Sequence, residues 1–81
     1  MNKWNFDSKR WSKDVRDSRV ALGYSVRELA FKTGIQTTTL HRIITGKREP
    51  YMTEFIHICA FLNLEAVEYF DVDEIQMRMR L

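Results

Sequence analysis

Tyr24-Ser25-Val26-Arg27-Glu28-Leu29-Ala30-Phe31-Lys32-Thr33-Gly34-Ile35, then Thr37-Thr38-Thr39-Leu40-His41-Arg42-Ile43, then Gly46-Lys47-Arg48-Glu49-Pro50, is the stretch that decides the fold. Ser25 and Glu28 have the S-x-x-E spacing of a capping box, in which each side chain closes a backbone N–H left open at a helix start. Leu29, Ala30 and Phe31 follow, and Gly34 ends this second helix early because glycine tolerates the left-handed backbone of a helix stop. A third helix is predicted over Thr37–Thr45, stopped by Gly46. Steps of about 100° put Leu40, Ile43 and Ile44 on one side of it and Thr37, Thr38, His41, Arg42 and Thr45 on the other. Its β-branched threonines are weak helix formers, so it needs tertiary support.

Working outward, Trp11, Val15, Ser18 and Leu22 recur at helical spacing and predict a first helix from Ser8 to Leu22. Asp7 or Ser8 can cap it, Phe6 stands where a staple residue packs on the first turns, and Gly23 ends it. A fourth helix is predicted over Met52–Leu62, with Met52, Phe55, Ile58, Cys59 and Leu62 as its apolar face and Asn63 at the left-handed stop. Leu64 to Phe70 reads as a short fifth helix. Ile75-Gln76-Met77-Arg78-Met79-Arg80-Leu81 then alternates apolar and polar, as a half-buried strand does. Trp4 and Phe6 alternate likewise. A strand must pair, and the candidates are residues 2–6, the same strand of a second chain, or both. The expected organisation is an N-terminal segment, 1–7, a helical domain, 8–70, and a strand-bearing tail, 71–81.

The 81 residues suffice for one compact domain. With 44% hydrophobic and 30% charged residues, the composition excludes a disordered chain. Three Gly and one Pro leave little room for linkers and favour helices. The single cysteine, Cys59, cannot form an internal disulfide. The first residues carry no apolar signal core, and no apolar run reaches the roughly 18–20 residues of a membrane span, so a cytoplasmic protein is expected. Such a small core supplies only about 3–5 kcal/mol, and dimerisation would supplement it. The formal net charge is only +2, but residues 1–50 carry 11 Lys+Arg against 5 Asp+Glu and residues 51–81 carry 2 against 6. That asymmetry suits a basic surface facing a polyanion and an acidic region held away from it.

Two short helices joined by a glycine-containing turn, with a basic turn after the second, describe a helix-turn-helix. Ser25 through Ile35, Thr38 through Ile43 and Gly46 through Pro50 resemble the Cro/CI (XRE) helix-turn-helix family. Its pattern runs S-x-x-E-L-A-x-x-x-G-[IV], then an alternating small-polar and aliphatic helix, then G-K/R-x-x-P. Phe55, Ile58, Ala60 and Leu62 fall where its fourth helix is apolar, and the resemblance covers about residues 8–70. It implies a mainly α, five-helix, lambda-repressor-like DNA-binding domain, here with a C-terminal strand. The small Ala30 suits a close helix crossing, and Ile35 and Leu40 fill the space between the two helices.

The resemblance makes the third helix a reader of the major groove. Arg42 is the main candidate for base contact, because its planar fork matches guanine O6 and N7. Thr37 and Thr38 suit a thymine methyl or a phosphate, Gln36 stands where the family makes a first contact, and His41 can donate to either. Thr45, Lys47 and Arg48 lie where the family's turn grips phosphates, and Arg27 can do so beside the start of the second helix. The family often has Gln at the position of Val26, and valine cannot make that bond. Lys9, Arg10 and Lys13 read as surface charge.

His57 and Cys59 point about 200° apart on a helix and cannot share a metal, so no metal or cofactor is expected. No nucleophile triad, phosphate loop or paired carboxylates point to catalysis, and no small-molecule substrate or membrane partner is implied. The expected function is a sequence-specific, dimeric, Cro-like repressor of the phage or bacterial kind, reading a near-palindromic operator on double-stranded DNA. Ile75, Met77, Met79 and Leu81 would form its dimerisation strand. The rival reading keeps the fold but makes the chain a protein-interaction regulator, an antitoxin or anti-repressor. There the acidic stretch Glu65–Glu74 and the terminal strand would add to a partner's sheet edge.

Overall fold

A computed structural model describes residues 6–70 of the chain. Four α-helices and one 3-10 turn follow in order: α1, Ser8–Leu22; α2, Val26–Thr33; α3, Thr37–Ile44; α4, Met52–Leu62; and the turn, Ala66–Tyr69. The expected mainly helical fold is present, and its fifth helix is this single tight turn. The expected strand at Ile75–Leu81 and residues 2–5 of its proposed partner segment lie outside the described residues.

The helix ends follow from local chemistry. Asp7 caps α1 by accepting the Arg10 N–H at 3.2 Å, and the Phe6 ring lies 5.7 Å from that of Trp11, forming a staple across the cap. At α2 the Ser25 hydroxyl accepts the Glu28 N–H at 3.0 Å and the Glu28 carboxylate accepts the Ser25 N–H at 3.2 Å, completing the capping box. Gly23 and Gly34 close α1 and α2 in the left-handed region, with φ of 78° and 73°. Asn63 ends α4 with φ of 57°, tolerated because its short polar side chain suits that region.

The core lies where α1 and α2 pack on α3 and α4, with the 3-10 turn closing α1 against α4. Trp11, Val15, Leu29, Leu40, Ile43 and Ile58 are fully buried in it. Ala30 is buried too, as the close crossing requires. Thr33, the buried polar residue of the described core, turns its hydroxyl back onto the Leu29 carbonyl at 2.8 Å. Cys59 is buried and its sulfur accepts the Trp11 indole N–H at 3.4 Å; burial pushes its thiol pKa up. Two expected core residues are not in it. Leu22 and Met52 are exposed, because each stands at a helix end where the apolar stripe runs past its neighbours.

The two ends of the described chain meet. Asp7 N–H donates to the Tyr69 carbonyl at 2.8 Å, and the Tyr69 hydroxyl donates to Asp14 at 2.9 Å. Burial first, and that hydrogen bond second, push the Tyr69 pKa well above the ordinary phenol value. Arg10, expected as surface charge, is exposed, and from the surface it bonds the Glu68 carbonyl at 3.0 Å, pairs with the Glu68 carboxylate at 3.4 Å and lies over the Tyr69 ring. It ties α1 to the turn. Lys13 is at the surface too, where it pairs with Asp17 at 2.8 Å.

Candidate nucleic-acid interface

α3 owes its orientation to burial of one side only. Leu40, Ile43 and Ile44 lie in the core, while Gln36, Thr37, Thr38, His41, Arg42 and Thr45 are exposed. The result is a short polar ridge with arginine at its centre, shaped to enter a groove. Gln36 stands at the helix entrance with a side chain that makes no capping bond, so its amide faces outward uncommitted. Among the described residues neither His41 nor Arg42 has an ion-pair partner, so their donors stay available.

The turn after α3 is built differently. The N–H groups of Thr45 and Gly46 bond the carbonyls of His41 and Ile43, and those of Lys47 and Arg48 both reach Arg42 O, at 2.9 and 3.3 Å. Gly46 takes φ of 78° to allow it. The Thr45 hydroxyl donates back to the His41 carbonyl at 2.7 Å. The turn is therefore self-satisfied along its backbone, and what it offers a phosphate comes from side chains.

Of those side chains, Lys47 is exposed and unpaired among the described residues. Arg48 is committed elsewhere: its two terminal nitrogens grip the Glu54 carboxylate at 2.9 and 3.1 Å, and its guanidinium lies 4.6 Å from the Tyr51 ring centre. Glu54 also accepts the Tyr51 N–H at 2.7 Å, stopping the open start of α4. The Arg48 guanidinium first, and that backbone bond with it, hold the Glu54 carboxyl below the usual carboxylate range. The paired carboxylate in turn holds the Arg48 proton more tightly. A bidentate pair of this kind fixes geometry as well as charge. It welds the basic turn to α4 and sets where Lys47 stands. Glu54 was not read from sequence as part of the site; the signal was its position three residues after Tyr51, the place of a capping carboxylate.

Arg27 is exposed in the first turn of α2, without an ion-pair partner among the described residues. Val26 beside it is half-buried and packs on the core, so a hydrogen-bonding side chain there is replaced by an anchor. On the far side of the turn, a groove of about 450 Å³ opens against the first half of α1, from Ser8 to Arg16. Sequence reading did not single out Arg16, although Lys9, Ser12 and Arg16 recur at spacings of three and four.

His57 is exposed and Cys59 buried, as the helical spacing requires, and no cluster of metal-ligating residues occurs among the described residues. No helix among them is long and apolar enough to cross a membrane.

Two packed helices, the second with a bare polar face and a basic turn behind it, define a helix-turn-helix DNA-binding unit. The helix-turn-helix family model matches residues 15–69. The chain belongs to that family, in its XRE branch. It is thus a DNA-binding transcription regulator acting on double-stranded DNA, not an enzyme. Among solved structures, the restriction-modification controller protein C.AhdI from Aeromonas hydrophila is similar, with a TM-score of 0.65 and 25% identity. The match covers 73% of this chain and 89% of that one. No curated protein matches the chain.

Proposed function

We propose that the chain is a sequence-specific, dimeric regulator of the Cro-like repressor kind, acting in the cytoplasm of a bacterium or a phage-infected host. The observation that carries this reading is the divided third helix: three aliphatic residues buried, and Gln36, Thr37, Thr38, His41 and Arg42 bare. In the proposal these five read base edges, with Arg42 on a guanine. Arg27 and Lys47 contact phosphates directly. Thr45 does so once its hydroxyl leaves its own helix, and Arg48 mainly holds the turn in place. Similarity to a restriction-modification controller protein supports a regulatory role.

Residues 8–70 are the DNA-binding unit of the proposal, flanked by 1–7 and 71–81. Ile75, Met77, Met79 and Leu81 supply the dimer strand. The bond from Asp7 N–H to the Tyr69 carbonyl joins the two ends of the described residues, which supports pairing between residues 2–6 and the tail as well. Two third helices then enter adjacent major grooves about 34 Å apart and cover a near-palindromic operator.

Selection of bound duplexes from a random pool tests the reading. Enrichment of an inverted repeat with centres about one helical turn apart is expected. Arg42→Ala should then lose about 1–3 kcal/mol of binding and relax one operator position. Folded protein that enriches no sequence would overturn it and favour the protein-interaction regulator.

A further inference from the structure

The groove between α1 and the turn after α3 has a composition that packing alone does not require. One wall is Lys9, Ser12 and Arg16, successive residues on one face of α1; the other is Thr45, Gly46 and Glu49 of the turn. Its volume, about 450 Å³, is ample for a phosphate group with part of its shell of water. Arg48 also borders the groove, but its charge is spent on Glu54. Along α1, Arg10 and Lys13 are paired with the carboxylates of Glu68 and Asp17, and Arg19 is turned onto the Tyr24 carbonyl at 2.8 Å. The two α1 cations lining the groove, Lys9 and Arg16, have no such partner among the described residues.

We infer that this groove binds a phosphate group, with Lys9 and Arg16 supplying charge and the Ser12 hydroxyl a directional donor. The inference deepens the DNA-binding reading and rests on it for the source of that phosphate. The turn that forms one wall also ends α3, and Ile43 and Ile44 of that helix line the groove as well, so in this proposal a duplex on the polar face of α3 reaches the groove only at its Thr45–Gly46 rim. A backbone phosphate there would extend the footprint beyond the helix-turn-helix itself. Glu49, on the turn side, repels an anion, so the phosphate belongs against α1. Arg is suited to this by its fork of donors.

Arg16 and Lys9 are exposed, so alanine at either leaves the core intact. Binding to the selected operator duplex would be measured against salt for the wild type, Arg16→Ala, Lys9→Ala and Glu49→Gln. Loss of one phosphate contact should lower the slope of log affinity against log salt by about one, with the preferred sequence unchanged. Glu49→Gln should act in the opposite sense and tighten binding to every sequence. In parallel, inorganic phosphate would be titrated into DNA-free protein while the amide resonances of Ser12, Arg16 and Gly46 are followed. Saturable shifts that Arg16→Ala abolishes, with an unchanged salt slope, identify a free anion as the source; a reduced slope identifies DNA. A wild-type slope in both alanine variants, together with amides unmoved by phosphate, overturns the inference. If the wild type binds no duplex, the proposed function fails by itself and the phosphate titration still decides the groove.

Discussion

The two ends of this domain are held together by different means. At one end Phe6, Trp11, Phe55, Tyr69 and Phe70 form a continuous aromatic cluster, with ring centres 5.3 to 6.4 Å apart. Its members come from before α1, from α1, from α4 and from the last turn, so it closes the chain upon itself. At the other end α2 and α3 meet through small and aliphatic residues, Leu29, Ala30, Leu40 and Ile43, with caps and a glycine stop doing the shaping. The aromatic end places much of the buried area, and the helix-turn-helix end places a polar ridge. The fold thus concentrates long-range cohesion away from the surface proposed to meet DNA.

Replacing Trp11 with alanine should have the largest effect on stability. The indole is fully buried against Phe6 and Phe55 and donates to the Cys59 sulfur. Removing such a side chain costs about 3–5 kcal/mol, which matches the whole net stability expected of a domain this small. The variant should be largely unfolded at room temperature by far-ultraviolet circular dichroism and urea titration. A folded variant with a near-normal urea midpoint would break the comparison, since cohesion would then lie elsewhere.

At the other end, Ser25→Ala removes half of the capping box and should cost about 1 kcal/mol. A domain of this size loses roughly 4–8 °C of thermal midpoint for that amount. The effect should be confined to the start of α2, visible as faster amide exchange at Val26, Arg27 and Glu28. Uniformly faster exchange would mean that the caps hold the whole domain, as the aromatic cluster does.

The same contrast explains what could be read in the sequence. Ser25 and Glu28, Gly23, Gly34 and Asn63 act within a few residues of themselves, so their pattern states their role, and the helix limits follow. The division of α3 into buried and bare faces is likewise a matter of local spacing. Arg10 is different: its partner Glu68 lies at the other end of the domain, and no local pattern separates it from Lys13, which is ordinary surface charge. The pairing of Arg48 with Glu54 could not be read beside its expected phosphate role, because Glu54 reaches it only after the chain has turned at Pro50 and started α4. Leu22 and Met52 keep the helical period of their stripes but stand where no neighbour among the described residues covers them. Periodicity reports which side of a helix is apolar; it does not report how far the partner helix extends.

Glu54→Gln should have the smallest effect of the three and the most distinctive pH dependence. Glutamine retains one oxygen, for the Tyr51 N–H, so what is lost is the charge held against Arg48 together with the second oxygen that accepts from it. Arg48 keeps its proton throughout, so the titrating partner is Glu54. Its folded carboxyl is held below the ordinary value of 4.5. The unfolded chain therefore takes up a proton first as the pH drops. The pair's contribution is fully present above that ordinary value and disappears as the pH falls through the lower, folded one. The thermal midpoint of Glu54→Gln should accordingly lie below that of the wild type at neutral pH, and the two should converge in acid. A gap that persists below the folded carboxyl's titration would assign the loss to altered hydrogen bonding rather than to charge. At neutral pH the variant should also bind operator DNA with a changed phosphate contribution, because an Arg48 released from Glu54 becomes a free cation in the turn. Affinity that rises while stability falls would show that this pair trades direct phosphate contact for a fixed turn.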